Sequence, residues 1–265
     1  MEKTRMSLRN VVRIFACLAV VAVCVSCKKN NGEVDSDKPD NPNKLVSYIY
    51  DRNTCVRYYY EYDNQNRLSK ITITEYADFN GDGEDEEGNS WVYIVTYPSA
   101  NTIYYDFGDD DIMILTLNNE GKMIKCDNIG RIDMFEYEGE YLKKHTSSMN
   151  AMENNYFWND GGIDSMVCKY QSYNDEIITY TSTYTYCSVP DKEYSIAPWK
   201  FPSFGRVFPS CLLGKSTSYL LSSEIFEDDS SINYRYETNA EGYVTKVYLE
   251  DRNHFERLLF EVKYK

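Results

Sequence analysis

The sequence predicts an all-β protein, an antiparallel meander of many hairpins curled into a barrel-like sheet. Three observations carry this. Segment after segment is built of aromatic and β-branched residues with a period of two. The separators are short and rich in Asn, Asp and Gly, and turns that short force neighbouring strands to run antiparallel. No stretch of apolar residues keeps helical spacing for more than about two turns.

Three parts follow from the chain order. Residues 1–27 have the pattern of a signal peptide. Lys3, Arg5, Arg9 and Arg13 form a positive start, and Ile14 to Val25 form an uncharged apolar run of 12 residues. That is short of the roughly 20 residues needed to span a bilayer. The run ends at Val25-Ser26-Cys27, which resembles the lipobox of a bacterial lipoprotein and implies lipidation of Cys27. Cys24 occupies a place where a larger aliphatic residue is usual. Cys24 and Cys27 also spell C-x-x-C, but at the end of an apolar run and not beside a βαβ pattern, so the redox reading fails. Residues 28–44 are polar, rich in Asn, Asp and Pro, and predict a disordered tether. Residues 45–265 predict a single β domain.

Within it, Ile71–Thr74, Trp91–Tyr97, Ile112–Leu117, Ile177–Tyr186, Ile232–Tyr236, Tyr243–Leu249 and Phe255–Tyr264 have strand composition. Asp63–Asn66, Asn118–Gly121, Glu138-Gly139 and Asn159–Gly162 separate them as turns. An inexact repeat runs through the domain. Tyr60-Glu61-Tyr62-Asp63 leads to Arg67-Leu68-Ser69-Lys70-Ile71, and four further copies start at Thr116, Phe135, Tyr156 and Tyr234. Each is an aromatic strand, an Asx or Gly turn, and a return strand, in most copies with a basic residue. The 26 tyrosines carry a large ring and a hydroxyl. With Thr on both strand faces, they predict a barrel with a polar interior.

The repeated Tyr-x-Tyr-Asp-turn-Arg-Leu-x-Lys-Ile hairpin, with the lipobox, the tether, Leu213-Gly214-Lys215-Ser216 and the terminal hairpin Tyr234–Tyr248, resembles an uncharacterised family of Gram-negative lipoproteins. That family is a domain of unknown function with a porin-like fold. The resemblance covers nearly all of residues 45–265. It implies a barrel-like meander and no known catalytic residue.

Charge narrows the partners. Lys and Arg total 28 against 42 Asp and Glu, a net charge of -14. Removing residues 1–27, which carry a net +3, takes it to -17. Such a chain has no basic face for nucleic acid, and a lipid rather than charge would hold it at a membrane. The chain is thus expected at the outer membrane by its lipid anchor, on the periplasmic or the cell-surface side.

Asp78, Asn80 and Asp82 fall at positions 1, 3 and 5 of a calcium loop, with Gly83 at 6, Glu84 at 7 and Glu86 at 9. Asn89 replaces the usual bidentate Glu at 12, and the competing reading is a solvated acidic turn. Asp109–Asp111 and Glu227–Asp229 predict solvated turns. Ser195–Pro209 is a long aromatic loop in which Trp199 is the candidate ligand contact, against a cap or plug. Five cysteines lie beyond residue 27, at Cys55, Cys126, Cys168, Cys187 and Cys211, so buried thiols or one disulfide are open readings. Two histidines preclude a three-His zinc site, and no nucleophile elbow, phosphate loop or dinucleotide fingerprint occurs. No spacing singles out a pair of glycosidase carboxylates. The expectation is an envelope lipoprotein that is a non-catalytic binding or structural module, not an enzyme, with calcium as its one candidate cofactor and a glycan or an envelope protein as its candidate partner. The alternative is a carbohydrate-binding or glycan-processing lipoprotein.

Overall fold

The computed structural model describes residues 45–77, 86–108, 111–159, 162–192, 210–214, 217–250 and 255–265. They form one sheet of sixteen antiparallel strands. The first eight are β1 (Val46–Asp51), β2 (Val56–Tyr62), β3 (Leu68–Ala77), β4 (Glu86–Ser99), β5 (Thr102–Asp106), β6 (Ile112–Leu117), β7 (Met123–Asn128) and β8 (Arg131–Glu138). The rest are β9 (Tyr141–Ser147), β10 (Met152–Asn159), β11 (Gly162–Gln171), β12 (Ile177–Pro190), β13 (Tyr219–Phe226), β14 (Ser231–Thr238), β15 (Val244–Glu250) and β16 (Glu256–Tyr264). Each strand pairs with its neighbours in sequence, and β1 pairs with β16 to close a barrel. Every expected strand is present, and each repeat copy is one hairpin.

The hairpin chemistry explains the repeat. Asp63, Asn118 and Asn239 open three-residue loops in the same way. Each side-chain Oδ1 accepts backbone N–H bonds two and four residues on, from Gln65 and Arg67, Glu120 and Lys122, and Glu241 and Tyr243. The third loop residue has positive φ: Asn66 at 60°, Gly121 at 80° and Gly242 at 83°. This is the type I turn with a left-handed fourth residue and a bulge, and Asn or Gly is the residue that adopts that backbone readily.

The interior is dry, contrary to the polar interior expected from the tyrosine and threonine content. Leu68, Ile71, Ile73, Met113, Leu115, Met123 and Leu142 have no accessible surface, and one apolar cluster runs through strands from all around the barrel. A circular sixteen-stranded barrel holds an aqueous lumen. Here the inner face is instead packed with buried side chains. Tyr58, Tyr60, Tyr93, Tyr105, Tyr156 and Tyr184 lie inside this core. Tyrosine is common here because its ring fills the core, and the threonines mostly face outward, as Thr179, Thr181, Thr183 and Thr185 alternate with buried or half-buried neighbours on β12.

The outer wall carries ion pairs together with exposed apolar side chains such as Val92, Ile94, Ile132 and Met134. Lys70 pairs with Glu61, Lys144 with Glu153, and Arg52 with Glu261. Arg235 grips Glu256 with two 2.7 Å bonds and covers the ring of Tyr248 at 3.8 Å. A membrane-spanning porin, by contrast, has an apolar outer band and a polar lumen.

At the end of the barrel where β1 begins and β16 finishes, the even strands end in aromatic residues whose polar tips reach the backbone. Tyr62 donates to Val46 O at 2.7 Å, Tyr97 to Leu68 O at 2.8 Å, Tyr137 to Met123 O at 2.8 Å, Tyr186 to Ile163 O at 2.9 Å, and Tyr264 to Val244 O. Trp158 Nε1 donates to Leu142 O at 2.6 Å. Six of the eight even strands therefore lock the start of the preceding strand. Each latch residue lies two after an inward-facing one, as Tyr62 follows Tyr60 and Tyr186 follows Tyr184, so strand alternation places its ring inward, and the next strand carries a bulge opposite four of them. Cations cover several of these rings: Arg67 on Tyr97 at 4.3 Å, Lys265 on Tyr62 at 4.7 Å and Lys122 on Tyr137 at 5.6 Å. Leu212 and Leu213, in a short 3-10 turn (Ser210–Leu213), are buried at the same end, and Leu212 O also accepts from Tyr137. Gly214 follows at φ +87°, where a Cβ would collide with Glu140 O.

Replacing Tyr97 by Phe strands the Leu68 carbonyl and is expected to cost about 1–2 kcal/mol in urea unfolding. The same change at Tyr173, whose side chain is fully exposed, is expected to stay within about 0.5 kcal/mol. Equal effects at the two positions would show that the latches contribute nothing.

Candidate functional site: a cleft in the barrel wall

The β9–β10 seam, like β1–β2, β7–β8 and β11–β12, is unpaired near the latch end. β9 and β10 pair only from Ser147↔Met152 to Lys144↔Asn155. Beyond that, towards the latch end, Tyr141, Leu142 and Lys143 are not laddered to Tyr156–Asn159, and Trp158 Nε1 to Leu142 O is the bond that holds the seam. Three successive aromatic residues cannot all face inward in a strand whose side chains alternate. Tyr156 is buried, Phe157 points out with 52% of its surface exposed, and Trp158 faces inward again by the same alternation.

The gap is a cleft of about 710 Å³ lined by Glu138, Tyr141, Lys143, residues 155–159, Val167 and Lys169. That is the size of small-ligand sites, which combine apolar walls with a few placed polar groups. Tyr141 and Trp158 meet with ring centroids 4.9 Å apart at 47°, and the Trp158 indole is fixed by its bond to Leu142 O. Asn159 Oδ1 accepts from Gly162 N, and Glu138 pairs with Lys143 at 3.0 Å on the rim. A rigid aromatic floor with a charged rim can bind a ligand with little ordering cost.

A second polar cluster lies inside the opposite end of the same strands. The Asp133 carboxylate takes Arg131 at 2.9 Å and His145 Nε2 at 3.1 Å. Asn154 Nδ2 lies 3.4 Å from His145 Nδ1, and Phe135 stacks on the imidazole at 4.8 Å. Those contacts fix a neutral imidazole that donates from Nε2 and accepts at Nδ1. Burial opposes the Asp133 charge, but bonds from His145 and Ser147 and the Arg131 charge outweigh it and hold its pKa below the usual range. Burial pushes His145 down, against the pull of Asp133. Asp133, His145, Ser147 and Asn154 are all at most 4% exposed, so no substrate reaches this pair and its role is structural.

Of the residues singled out in the sequence, Cys27, Asp78, Asn80, Asp82, Glu84 and Trp199 lie outside the described residues. Glu86 opens β4, exposed and opposite Ala77. Asn89 donates to Glu75 at 3.4 Å. Among the described residues no three His, Cys, Asp or Glu side chains cluster as metal ligands. Glu227–Asp229 is an exposed turn, as expected, with Asp229 at φ 60°. Cys126 and Cys168 are buried and Cys55 and Cys187 half-buried, and burial raises the Cys168 thiol.

Comparison with known proteins bears on the fold. No family model matches the chain, and no curated protein matches it. Among solved structures, a porin-like protein from Bacteroides uniformis superposes with a TM-score of 0.62 at 18% identity, over 84% of this chain and 99% of that one. A porin-like protein from Bacteroides vulgatus gives 0.54 at 10% identity over the same shares. The chain therefore shares their porin-like fold.

The depressed His145 pKa carries a sign. The folded protein holds the imidazole neutral, whereas the unfolded chain protonates near pH 6.5. Stability is therefore present above pH 6.5 and lost as pH falls below it. Urea unfolding at pH 7.5 and 5.5 is expected to show a larger acid loss for the wild type than for His145→Gln. Equal losses would place the pH sensitivity elsewhere.

Proposed function

We propose that this chain is a non-catalytic binding module of the cell envelope, held to the outer membrane through lipid at Cys27, with the β8–β11 cleft as its ligand site. The observation that supports it is the aromatic-floored cleft between β8 and β11, with charged side chains on its rim. The charged outer wall favours a barrel that sits in water, since each Lys or Arg at the bilayer midplane would cost about 2–4 kcal/mol. The barrel shape resembles porins, and the chemistry of its two faces does not.

The strand directions give the proposed orientation. Leu45, where the tether joins, lies at the latch end, so the cleft would sit on the membrane-proximal half. The ends of β3 and β4 that flank 78–85, and the β5–β6 and β13–β14 connections, lie at the far end. Calcium is the candidate ion for Asp78, Asn80, Asp82, Glu84 and Glu86.

In cells, Cys27→Ser is expected to move the protein from the membrane fraction to the soluble fraction. Retention in the membrane would overturn the lipid anchor. Protease shaving of intact cells, with lysed cells as control, then assigns the side. The calcium reading predicts a melting temperature several degrees higher in calcium than in chelator, and an unchanged midpoint would sink it.

A further inference from the structure

We infer that the β8–β11 cleft takes an anionic oligosaccharide, a chain of pyranose rings bearing carboxylate groups. This rests on the cleft being the binding site and adds the class of ligand. Two features of the lining carry it.

The first is the aromatic arrangement. The faces of aromatic rings are electron-rich, and the C–H bonds on one face of a pyranose carry partial positive charge, so a sugar ring stacks flat on such a platform. Phe157 offers an exposed ring at the mouth, and the Tyr141–Trp158 pair offers a second, fixed one. The polar neighbours suit hydroxyl-rich ligands, with Asn155 and Asn159 along the same strand and Glu138 on the rim.

The second feature is charge. The chain carries a net -14, yet the cleft lining holds Lys143 and Lys169 against a single acid, Glu138. Glu138 is engaged by Lys143. Lys169 stands across from Glu153 on β10, and Glu153 already takes Lys144 at 2.8 Å. An anionic substituent would find a locally positive rim on a surface that elsewhere repels it, and this favours an acidic sugar over a neutral one or a basic peptide.

The test is calorimetric titration of the full chain with a hexameric galacturonate, with maltohexaose as the neutral comparator and an apolar fluorescent dye as a probe of the cleft itself. The galacturonate is expected to bind, and maltohexaose about tenfold more weakly or not at all. Phe157→Ala is expected to weaken the galacturonate at least tenfold, and Lys169→Gln to erase the preference for the acidic sugar. Both side chains lie on the outer wall, and an unchanged circular dichroism melt checks that the variants are folded. Equal affinity for the two sugars, or an unchanged galacturonate affinity in Phe157→Ala, overturns the inference. If neither sugar binds but the dye binds and Phe157→Ala abolishes it, the saccharide class is wrong and the cleft remains a site. If the dye also ignores Phe157→Ala, the cleft itself falls.

Discussion

Pairing of β1 with β16 is the constraint from which the other features follow. A sheet of sixteen strands with two free edges would present unpaired backbone along both, and closure removes them. Closure also fixes what the inside must be. A wide round barrel would admit water, whereas these inner strand faces bury Leu, Ile, Met, Val and Tyr, with a few polar groups such as Asp133 and His145 sealed among them.

The aromatic latches stabilise the end of that closed wall. The first carbonyl of each returning strand lies where the ladder begins, and a tyrosine hydroxyl or the indole N–H reaches it from inside. Burial pushes the Tyr137 and Tyr186 phenols well above their usual range, so they remain hydrogen-bond donors. Tyrosine serves here because its ring fills the core while its hydroxyl supplies the bond, which phenylalanine and leucine cannot do together. Leu117 at the end of β6 shows the alternative, a buried end without a latch.

The cleft lies where this scheme uses an indole. Trp158 donates to Leu142 O beside an unladdered stretch of β9, and the tilted Tyr141 and Trp158 rings form the floor of the space. A site built in this way is held by strands on both sides and is therefore rigid, unlike one made from loops.

Much of the fold was legible in the residues. Period-two alternation and Asx-Gly turns suffice for antiparallel hairpins, because short turns allow no other pairing. The residue just before each turn, as in Tyr62-Asp63, Tyr137-Glu138 and Trp158-Asn159, already marked the latch positions, although nothing local says where a hydroxyl will point. Tyr156-Phe157-Trp158 held one further signal, since strand alternation forces at least one of those rings outward. The closure of β1 on β16, the burial of the tyrosines, the meeting of Lys143 with Lys169 at one cleft and the sealing of Asp133 with His145 were decided by tertiary structure alone. They depend on register between strands far apart in the chain and on which face each bulge exposes, and a composition that places tyrosine and threonine on both faces does not distinguish a wet barrel from a dry one.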